Sequence, residues 1–238
     1  MWVAQGLNPA SGTMAWAAEQ AVAVAGLGPS ARDRVAVWGE PAQVARLVAG
    51  VMPRLGSSCR LLGYGDLIAP LARRLPGWEA SGPFGWMNTP ANLERGWHTP
   101  ANGGEGPETV RWLGGGDMPA VSALIDQAFP DSQARPGMAG VARWAGIDGP
   151  DGTLLAVAAD AWSAPTVGYM SGVAVSEKCR GRGLGERVCR FVAADLIARH
   201  GRVALMVHGW NDPAIRLYQR IGLTHRPIRA AWNGTARG

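Results

Sequence analysis

Apolar residues along the chain recur at two spacings, one typical of strands and one typical of helices. In the first half, short apolar segments predict strands at residues 34–38 and 59–62. Apolar positions three and four residues apart predict helices at residues 41–55 and 66–75. The apolar segment 13–25 also predicts a helix. Alternating helices and strands are typical of an α/β domain.

The second half shows a clearer order of elements. The turn sequence DGPDG lies between two apolar segments and predicts a hairpin. Gly168 and Gly172 lie inside one predicted strand, where glycine often marks a bulge or the close approach of a ligand. Asp117 precedes an apolar helical pattern and is a candidate cap. The predicted strands are 109–113, 141–147, 154–162, 166–175, 203–207 and 228–232, and the predicted helices are 118–129, 184–199 and 213–221.

Residues 88–108 separate the two halves and have the composition of a linker. They are rich in Pro, Gly, Asn and Thr and follow neither the strand nor the helix spacing. We therefore expect two domains. Residues 1–105 would form an α/β domain without a recognisable chemical motif, and residues 106–238 would form the second domain.

Composition narrows the class of protein. The chain has 238 residues, of which 47% are hydrophobic and 17% charged, so intrinsic disorder as the main state is excluded. No run reaches the ~18 apolar residues of a membrane span. No basic residue precedes the apolar run at 14–27, so a signal peptide is not predicted. Cys59, Cys179 and Cys189 are odd in number and lack metal-site spacing, which favours a reducing, cytoplasmic setting without disulfides or zinc.

Positive charge is concentrated at the end of the chain. Residues 177–238 carry 11 arginines and Lys178 against four acidic residues, a net charge of +8. Such a segment attracts a polyanion, although solvated surface arginines are an equally simple explanation. No helix-turn-helix, RNP-like or zinc-finger spacing supports nucleic acid as the partner. A small phosphorylated ligand is the better candidate.

The strongest local motif follows the strand at 166–175 and opens a helix. Glycines there let successive backbone N–H groups point into one cavity, and the start of a helix adds partial positive charge, a combination that binds phosphate. The glycine spacing differs from the dinucleotide fingerprint, and the Gly-Lys-Ser/Thr of a Walker loop is absent. A plain glycine turn is the alternative. The motif is Arg180-Gly181-Arg182-Gly183-Leu184-Gly185.

A second motif lies further along, where Pro213 starts a short helix. Asn211 ends the preceding strand, and the small Ala214 lies one turn before Tyr218. Taken alone, Tyr218 would be an ordinary core residue whose hydroxyl finds a partner.

Together the two motifs resemble those of the GNAT superfamily of acyl-CoA-dependent N-acyltransferases. The first resembles the R/Q-x-x-G-x-G/A loop of that family, and the second resembles its N-x-x-A-x-x-x-Y helix followed by glycine. The resemblance covers about residues 109–233 and implies a mixed, mostly antiparallel sheet with flanking helices. Residues 1–105 do not match the motifs, and a degenerate copy of the fold there is left open. The matching residues are Arg180, Gly183, Gly185, Asn211, Ala214, Tyr218 and Gly222.

The resemblance also implies a cofactor and its binding residues. Backbone N–H groups of the first motif would hold the pyrophosphate of coenzyme A, with Asn211 and Ala214 contributing from the second. The strands at 166–175 and 203–207 would splay apart near Gly172, which leaves backbone groups for the pantetheine arm. Those groups belong to Val173-Ala174-Val175.

Two catalytic roles are expected from such a transfer. Tyr218 is the candidate general acid for the leaving thiolate. Many relatives carry an acidic base on the strand before the phosphate loop, but here that strand reads VGYMSGVAV. His208 is the best substitute as the general base. Weaker options are Asp160, Tyr169 and a water molecule held by Ser171.

Several functions are therefore weighed. The leading one is an N-acetyltransferase that uses acetyl-CoA and a primary amine, with a longer or aromatic acyl donor as the variant. The alternative is a non-catalytic acyl-CoA sensor or accessory protein, and a nucleic-acid-binding protein is third. Trp144, Trp162 and Trp210 would line an aromatic acceptor pocket, although core packing explains them as well. The acceptor amine is not named by the sequence, and a homodimer is left open.

Overall fold

A computed structural model describes residues 13–26, 34–55, 59–90 and 109–234. The chain forms two compact units. Unit 1 comprises Met1–Trp86, Val207–Asp212 and His225–Gly238, and unit 2 comprises Met87–Met206 and Pro213–Thr224. Most of the expected linker, residues 91–108, lies outside the described residues. The domain boundary at residues 105 and 106 therefore stays a prediction.

Unit 1 is a sheet with two helices. Its strands lie in the order β1, β2, β3, β4, β12, and β5 pairs with β12. All these pairs are antiparallel except the parallel pair of β3 and β4. The strands are β1 (Met14–Ala18), β2 (Ala21–Gly26), β3 (Arg34–Gly39), β4 (Arg60–Tyr64), β5 (Trp78–Ala80) and β12 (Thr224–Asn233), and the helices are α1 (Pro41–Leu55) and α2 (Gly65–Arg74).

The helices of unit 1 form where the apolar spacing predicts them. Val44, Val48 and Val51 are the buried residues of α1, and Val44 and Val48 pack into one core cluster with residues of β2, β3 and β4. Asp66, at the predicted start of the second helix, does not cap α2, because Tyr64 occupies the N-cap position and no side chain caps the helix. Asp66 lies in the first turn instead.

The helix predicted at residues 13–25 is wrong, since the segment forms the hairpin of β1 and β2. Glu19 and Gln20 form its turn, and Glu19 adopts a left-handed φ of 46°. Alanine favours helices in isolation, which explains the error. Here alternate residues of β2 enter the core of unit 1, and burial along a pleated strand outweighs that local preference.

The strands of unit 2 lie in the order β11, β10, β9, β8, β7. Neighbouring strands are antiparallel except β10 and β11. The hairpin expected around DGPDG is the pair of β8 and β9. The strands are β7 (Val110–Trp112), β8 (Val141–Asp148), β9 (Leu154–Ala161), β10 (Gly168–Val175) and β11 (Val203–His208), and the helices are α3 (Met118–Ala128), α4 (Leu184–His200) and α5 (Asp212–Arg220). The boundary between the units falls inside two strands. Strand β6 (Phe84–Asn88) is divided after Trp86, and the last two residues of β11 belong to unit 1.

Helices α3 and α4 cover opposite faces of the unit 2 sheet. Ala174 of β10 is buried in a cluster with Val121 and Ile125 of α3. The next residue, Val175, lies against the start of α4 at Gly185. Because successive residues of a strand point to opposite faces, the two helices lie on different sides. The mixed α/β class with a mostly antiparallel sheet and flanking helices is confirmed.

Asp117 does not cap α3 in the expected way. It occupies the N-cap position without a capping hydrogen bond to the helix. Its carboxylate accepts hydrogen bonds from Arg111 Nη1 at 2.9 Å and from the backbone N–H of Gly114 at 2.7 Å. These bonds, that of Arg111 first, lower the pKa of Asp117 to about 2. The residue thus ties the end of β7 to the start of α3.

Candidate active site

The glycine-rich motif forms an exposed loop between β10 and α4. A short 3₁₀ turn at Glu177–Cys179 follows β10, and Arg180 continues with extended backbone. Gly181 and Gly183 have φ values of +79° and +77°, in the left-handed region that favours glycine. Gly183 is the N-cap of α4. The sequence therefore places its glycines at the positions where the backbone requires them.

This loop has the shape of an anion site. Left-handed glycines turn neighbouring backbone N–H groups toward one side. The first turn of α4 adds N–H groups that have no partner within the helix, and no side chain caps Gly183. A Cβ built on Gly181 or Gly183 meets nothing within 4 Å, so the space in front of the loop is open. The partial positive charge of the helix start points into that space.

Gly185 has a different role from the other two glycines. A Cβ at this position would lie 3.2 Å from Val175 Cγ2 and 3.3 Å from Leu217 Cδ1. Its missing side chain lets α4 begin close to both β10 and α5. Leu184 is buried beside it. These two residues of the motif therefore fix the end of the loop against the interior of unit 2.

Two pairs of arginines in unit 2 differ in their contacts. Arg190 and Arg220 both bind Glu186, which joins α4 to α5. Partial burial acts to raise the pKa of Glu186, but hydrogen bonds from these two arginines lower it overall. By contrast, the side chains of Arg180 and Arg182 lie on the exposed loop. Arg180 makes an exposed ion pair with Glu177 at 3.4 Å, a contact of little energetic weight.

Strand β10 is interrupted at Gly172, as the interior glycine predicts. The register against β9 shifts between Ser171 and Ala174, which is a β-bulge. Gly172 has a φ of +60°. A Cβ there would lie 2.5 Å from Cη2 of Trp144, so the indole ring packs directly against the glycine. The bulge is therefore held in place by a buried ring that only glycine accommodates.

The pairing of β10 with β11 is short. Gly168 pairs with Val203 and Tyr169 with Ala204, the first two residues of each strand. Within the described residues no register pair follows these two before the bulge. Beyond it, Val173 and Val175 are half-buried, whereas Ala174 is buried.

Tyr218 lies on the inner face of α5 and is 7% exposed. The half-buried Ala214 precedes it by one turn. Burial raises the pKa of Tyr218 well above 10, and Cys189 and Tyr169 add to the shift. Burial likewise raises the pKa of the Cys189 thiol. The Tyr218 phenol therefore remains protonated throughout the neutral range, as a proton donor must.

His208 is the last residue of β11, and Asn211 lies between this strand and α5, so the expectation that Asn211 ends the strand is wrong. Both residues belong to unit 1. The His208 ring stacks on Trp210 with centroids 5.2 Å apart and an interplanar angle of 11°. The N–H of Asn211 donates to the carbonyl of His208 at 2.9 Å, which closes the turn. Trp210 is 76% exposed. The role of His208 as a base stays a prediction.

The weaker candidates for the general base and for the acceptor pocket are engaged in other contacts. Asp160 is 1% exposed and binds two arginines, so its carboxylate is already engaged. Trp144 is a core residue, and the indole N–H of Trp162 donates to the carbonyl of Ala139 at 3.1 Å. The packing of Trp144 on Gly172 and the arginine partners of Asp160 were not foreseen. The residues of each contact lie far apart in sequence. The one sequence indication was that Gly172 lies in the interior of a predicted strand.

The described residues contain no group of three or more His, Cys, Asp or Glu side chains that could hold a metal ion. In the same part of the chain, no helix has the length and apolar character needed to cross a membrane. Cys59, Cys179 and Cys189 are buried, and within the described residues they form no disulfide.

Comparison with known proteins agrees with this geometry. The family model described as FR47-like protein matches residues 151–232, which include the loop, Tyr218 and most of β9 to β12. No curated protein matches the chain significantly.

Solved structures match nearly the whole chain. A GNAT-family protein from Novosphingobium aromaticivorans is 24% identical over 97% of this chain and 94% of its own, with a TM-score of 0.55. A GCN5-related N-acetyltransferase from Kribbella flavida is 16% identical over 93% and 89%, with a TM-score of 0.61. A third, from Sphaerobacter thermophilus, is 17% identical over 89% and 76%, with a TM-score of 0.59. The chain has the fold of the GNAT superfamily.

In this GNAT fold the bulge is expected to be a costly place for a side chain. Gly172→Ala should lower the free energy of unfolding by about 2–5 kcal/mol. Left-handed backbone costs a non-glycine residue about 1–2 kcal/mol, and overlap with Trp144 adds roughly 1–3 kcal/mol. Urea denaturation measures the loss. Gly137→Ala is the control, since Gly137 has a φ of +77° but open space around it. Equal losses in the two variants would contradict the packing argument.

Proposed function

We propose that the protein is an N-acyltransferase that moves an acetyl group from acetyl-CoA to a primary amine. The observation that carries the proposal is the open glycine loop at the start of α4, directly after a strand that is bulged at Gly172. A diphosphate fits that loop because its two left-handed glycines leave space and its helix start lacks a side-chain cap. When bound, acetyl-CoA supplies an activated acyl group as a thioester.

The chain's own groups would bind this substrate in two places. Backbone N–H groups of residues 180–185 would hold the diphosphate, and Arg180 and Arg182 would add charge-assisted hydrogen bonds. Backbone groups of Val173 and Val175 would bind the pantetheine arm. The Val173 N–H would also donate to the carbonyl oxygen where negative charge develops. Asn211 and Ala214 belong to the same proposed binding set.

Tyr218 would act as the general acid. Its raised pKa keeps the phenol protonated as the pH rises through neutrality, so the proton is available for the leaving thiolate. The acceptor must be a neutral amine before it attacks, and β10 offers no carboxylate to deprotonate it. His208 is proposed for that step. The second candidate, a non-catalytic acyl-CoA-binding protein, is favoured by this missing carboxylate.

The loop is tested by replacing one glycine at each end of α4. Gly183 and Gly201 cap the two ends, both have a φ of +77°, and neither has an atom within 4 Å of an added Cβ. Alanine at either position should therefore cost similar stability, about 1–2 kcal/mol. Only Gly183→Ala is expected to weaken coenzyme A binding, by about tenfold, in calorimetry. Equal binding by the two variants would count against the loop as the diphosphate site, and absence of binding by the wild-type protein would reject the proposed function.

The role of Tyr218 is tested by its phenylalanine variant. Tyr218→Phe removes one hydroxyl and should reduce kcat by ~10²–10⁴, as expected for loss of a general acid. The dissociation constant of coenzyme A should be unchanged. In the wild-type protein, the raised pKa predicts no loss of rate from Tyr218 ionisation below about pH 10. Thiol release from acetyl-CoA measures the rate, and an unaltered kcat would remove Tyr218 from the mechanism.

The role of His208 is tested by the pH dependence of the rate. If its imidazole removes the proton from the amine, the profile of kcat/KM against pH should contain a limb that depends on His208. That limb should disappear in His208→Ala, with a lower rate at neutral pH. Trp210→Ala is the control, because it removes the stacked neighbour but no titrating group. An identical profile for wild type and His208→Ala would exclude His208.

A further inference from the structure

Asp160 is the most deeply buried carboxylate in the described part of the chain. It lies on β9 and pairs with Arg143 of β8 and Met170 of β10. One carboxylate oxygen, Oδ2, accepts from Arg199 Nη2 at 2.5 Å and faces Arg143 Nε at 3.5 Å. Both arginines also bind Asp195 of α4. The four side chains form a charge network that joins the middle of the sheet to the last turns of α4.

The second oxygen of Asp160 serves a different contact. The hydroxyl of Ser163 donates to Asp160 Oδ1 at 2.6 Å. The same hydroxyl oxygen accepts the backbone N–H of Tyr169 at 2.9 Å. Strand β9 ends at Ala161, so Ser163 takes the place of a ladder partner for β10. Tyr169 in turn pairs with Ala204 and forms half of the two-residue seam between β10 and β11.

A buried carboxylate is stable only where its hydrogen-bond donors stay in place around it. Removing one donor leaves a desolvated charge, which is far more costly than losing an exposed contact. The position of Asp160 and the positions of Ser163 and Arg199 are therefore mutually constrained. Through Ser163 this constraint reaches the seam beside the bulged strand. Through Arg199 it reaches α4, the helix whose first residue follows the glycine loop.

We propose that Asp160 and Ser163 are positioning residues for acyl-CoA binding. They hold the short β10–β11 seam in the one arrangement that leaves the following backbone of β10 open. Neither residue touches the substrate in this account. The inference rests on the proposed function, since it concerns the same binding strand. If the seam is loosened, only a fraction of molecules presents the binding arrangement, and the apparent affinity falls by that fraction.

The test uses Ser163→Ala, which removes the hydroxyl and leaves all charges in place. Coenzyme A binding is measured by calorimetry, and exchange of the Tyr169 amide hydrogen is measured without ligand. Ser81→Ala is the matched control, because the Ser81 hydroxyl accepts the N–H of Ala230 at 3.0 Å in the sheet of unit 1. Ser163→Thr keeps the hydroxyl and should behave like the wild-type protein. Asp160→Asn is the second variant and should show the same pattern if it folds.

We expect Ser163→Ala to exchange the Tyr169 amide at least tenfold faster and to bind coenzyme A about fivefold more weakly. Its KM for acetyl-CoA should rise while kcat at saturation changes less than twofold. Ser81→Ala should change neither the exchange of the Tyr169 amide nor the affinity for coenzyme A, even if it lowers thermal stability by the same amount. Wild-type affinity and exchange in Ser163→Ala would overturn the inference and leave the proposed function standing. Absence of coenzyme A binding by the wild-type protein would overturn both.

Discussion

The candidate site depends on one constraint, that β10 cannot continue as a regular strand through Gly172. The ring of Trp144 occupies the space of a side chain at this position, and the backbone turns into the left-handed region. The register against β9 shifts there, and the pairing with β11 has already ended at Tyr169. Within the described residues, Val173 and Val175 consequently have no register partner in β11. A buried aromatic contact thus determines where β10 leaves its regular pairing.

Electrostatics in unit 2 follow from which arginines are already paired. The net charge of +8 at residues 177–238 suggested a polyanion partner, but three arginines of this segment have structural roles. Arg190 and Arg220 hold Glu186, and Arg199 holds two aspartates. Lys178, Arg180 and Arg182 carry further exposed positive charge on or beside the loop. Together with the helix start, this is a local field suited to one small anion rather than an extended surface.

Much of the fold was predictable because the apolar spacing reflects burial on one side of each element. Helix α1 begins and ends at the predicted residues, and the glycine loop lies where its motif places it. The hairpin at residues 13–25 was missed because alanines fit both spacings, and only packing against β3 decides between them. The charge network of Asp160 was missed for a similar reason. Its partners come from β8 and α4, and no local pattern connects them.

The contrast between the two units explains why one loop is a candidate site and its counterpart is not. In each unit three antiparallel strands lead into a parallel strand–helix–strand connection, β3–α1–β4 in unit 1 and β10–α4–β11 in unit 2. In unit 1 the Glu40 carboxylate accepts the N–H of Gln43 at 2.9 Å and fills the start of α1 with its own negative charge. Backbone hydrogen bonds from Ala42 and Gln43 lower the pKa of Glu40, so this charge persists. An anion would be repelled there, whereas Gly183 leaves the equivalent helix start open to one.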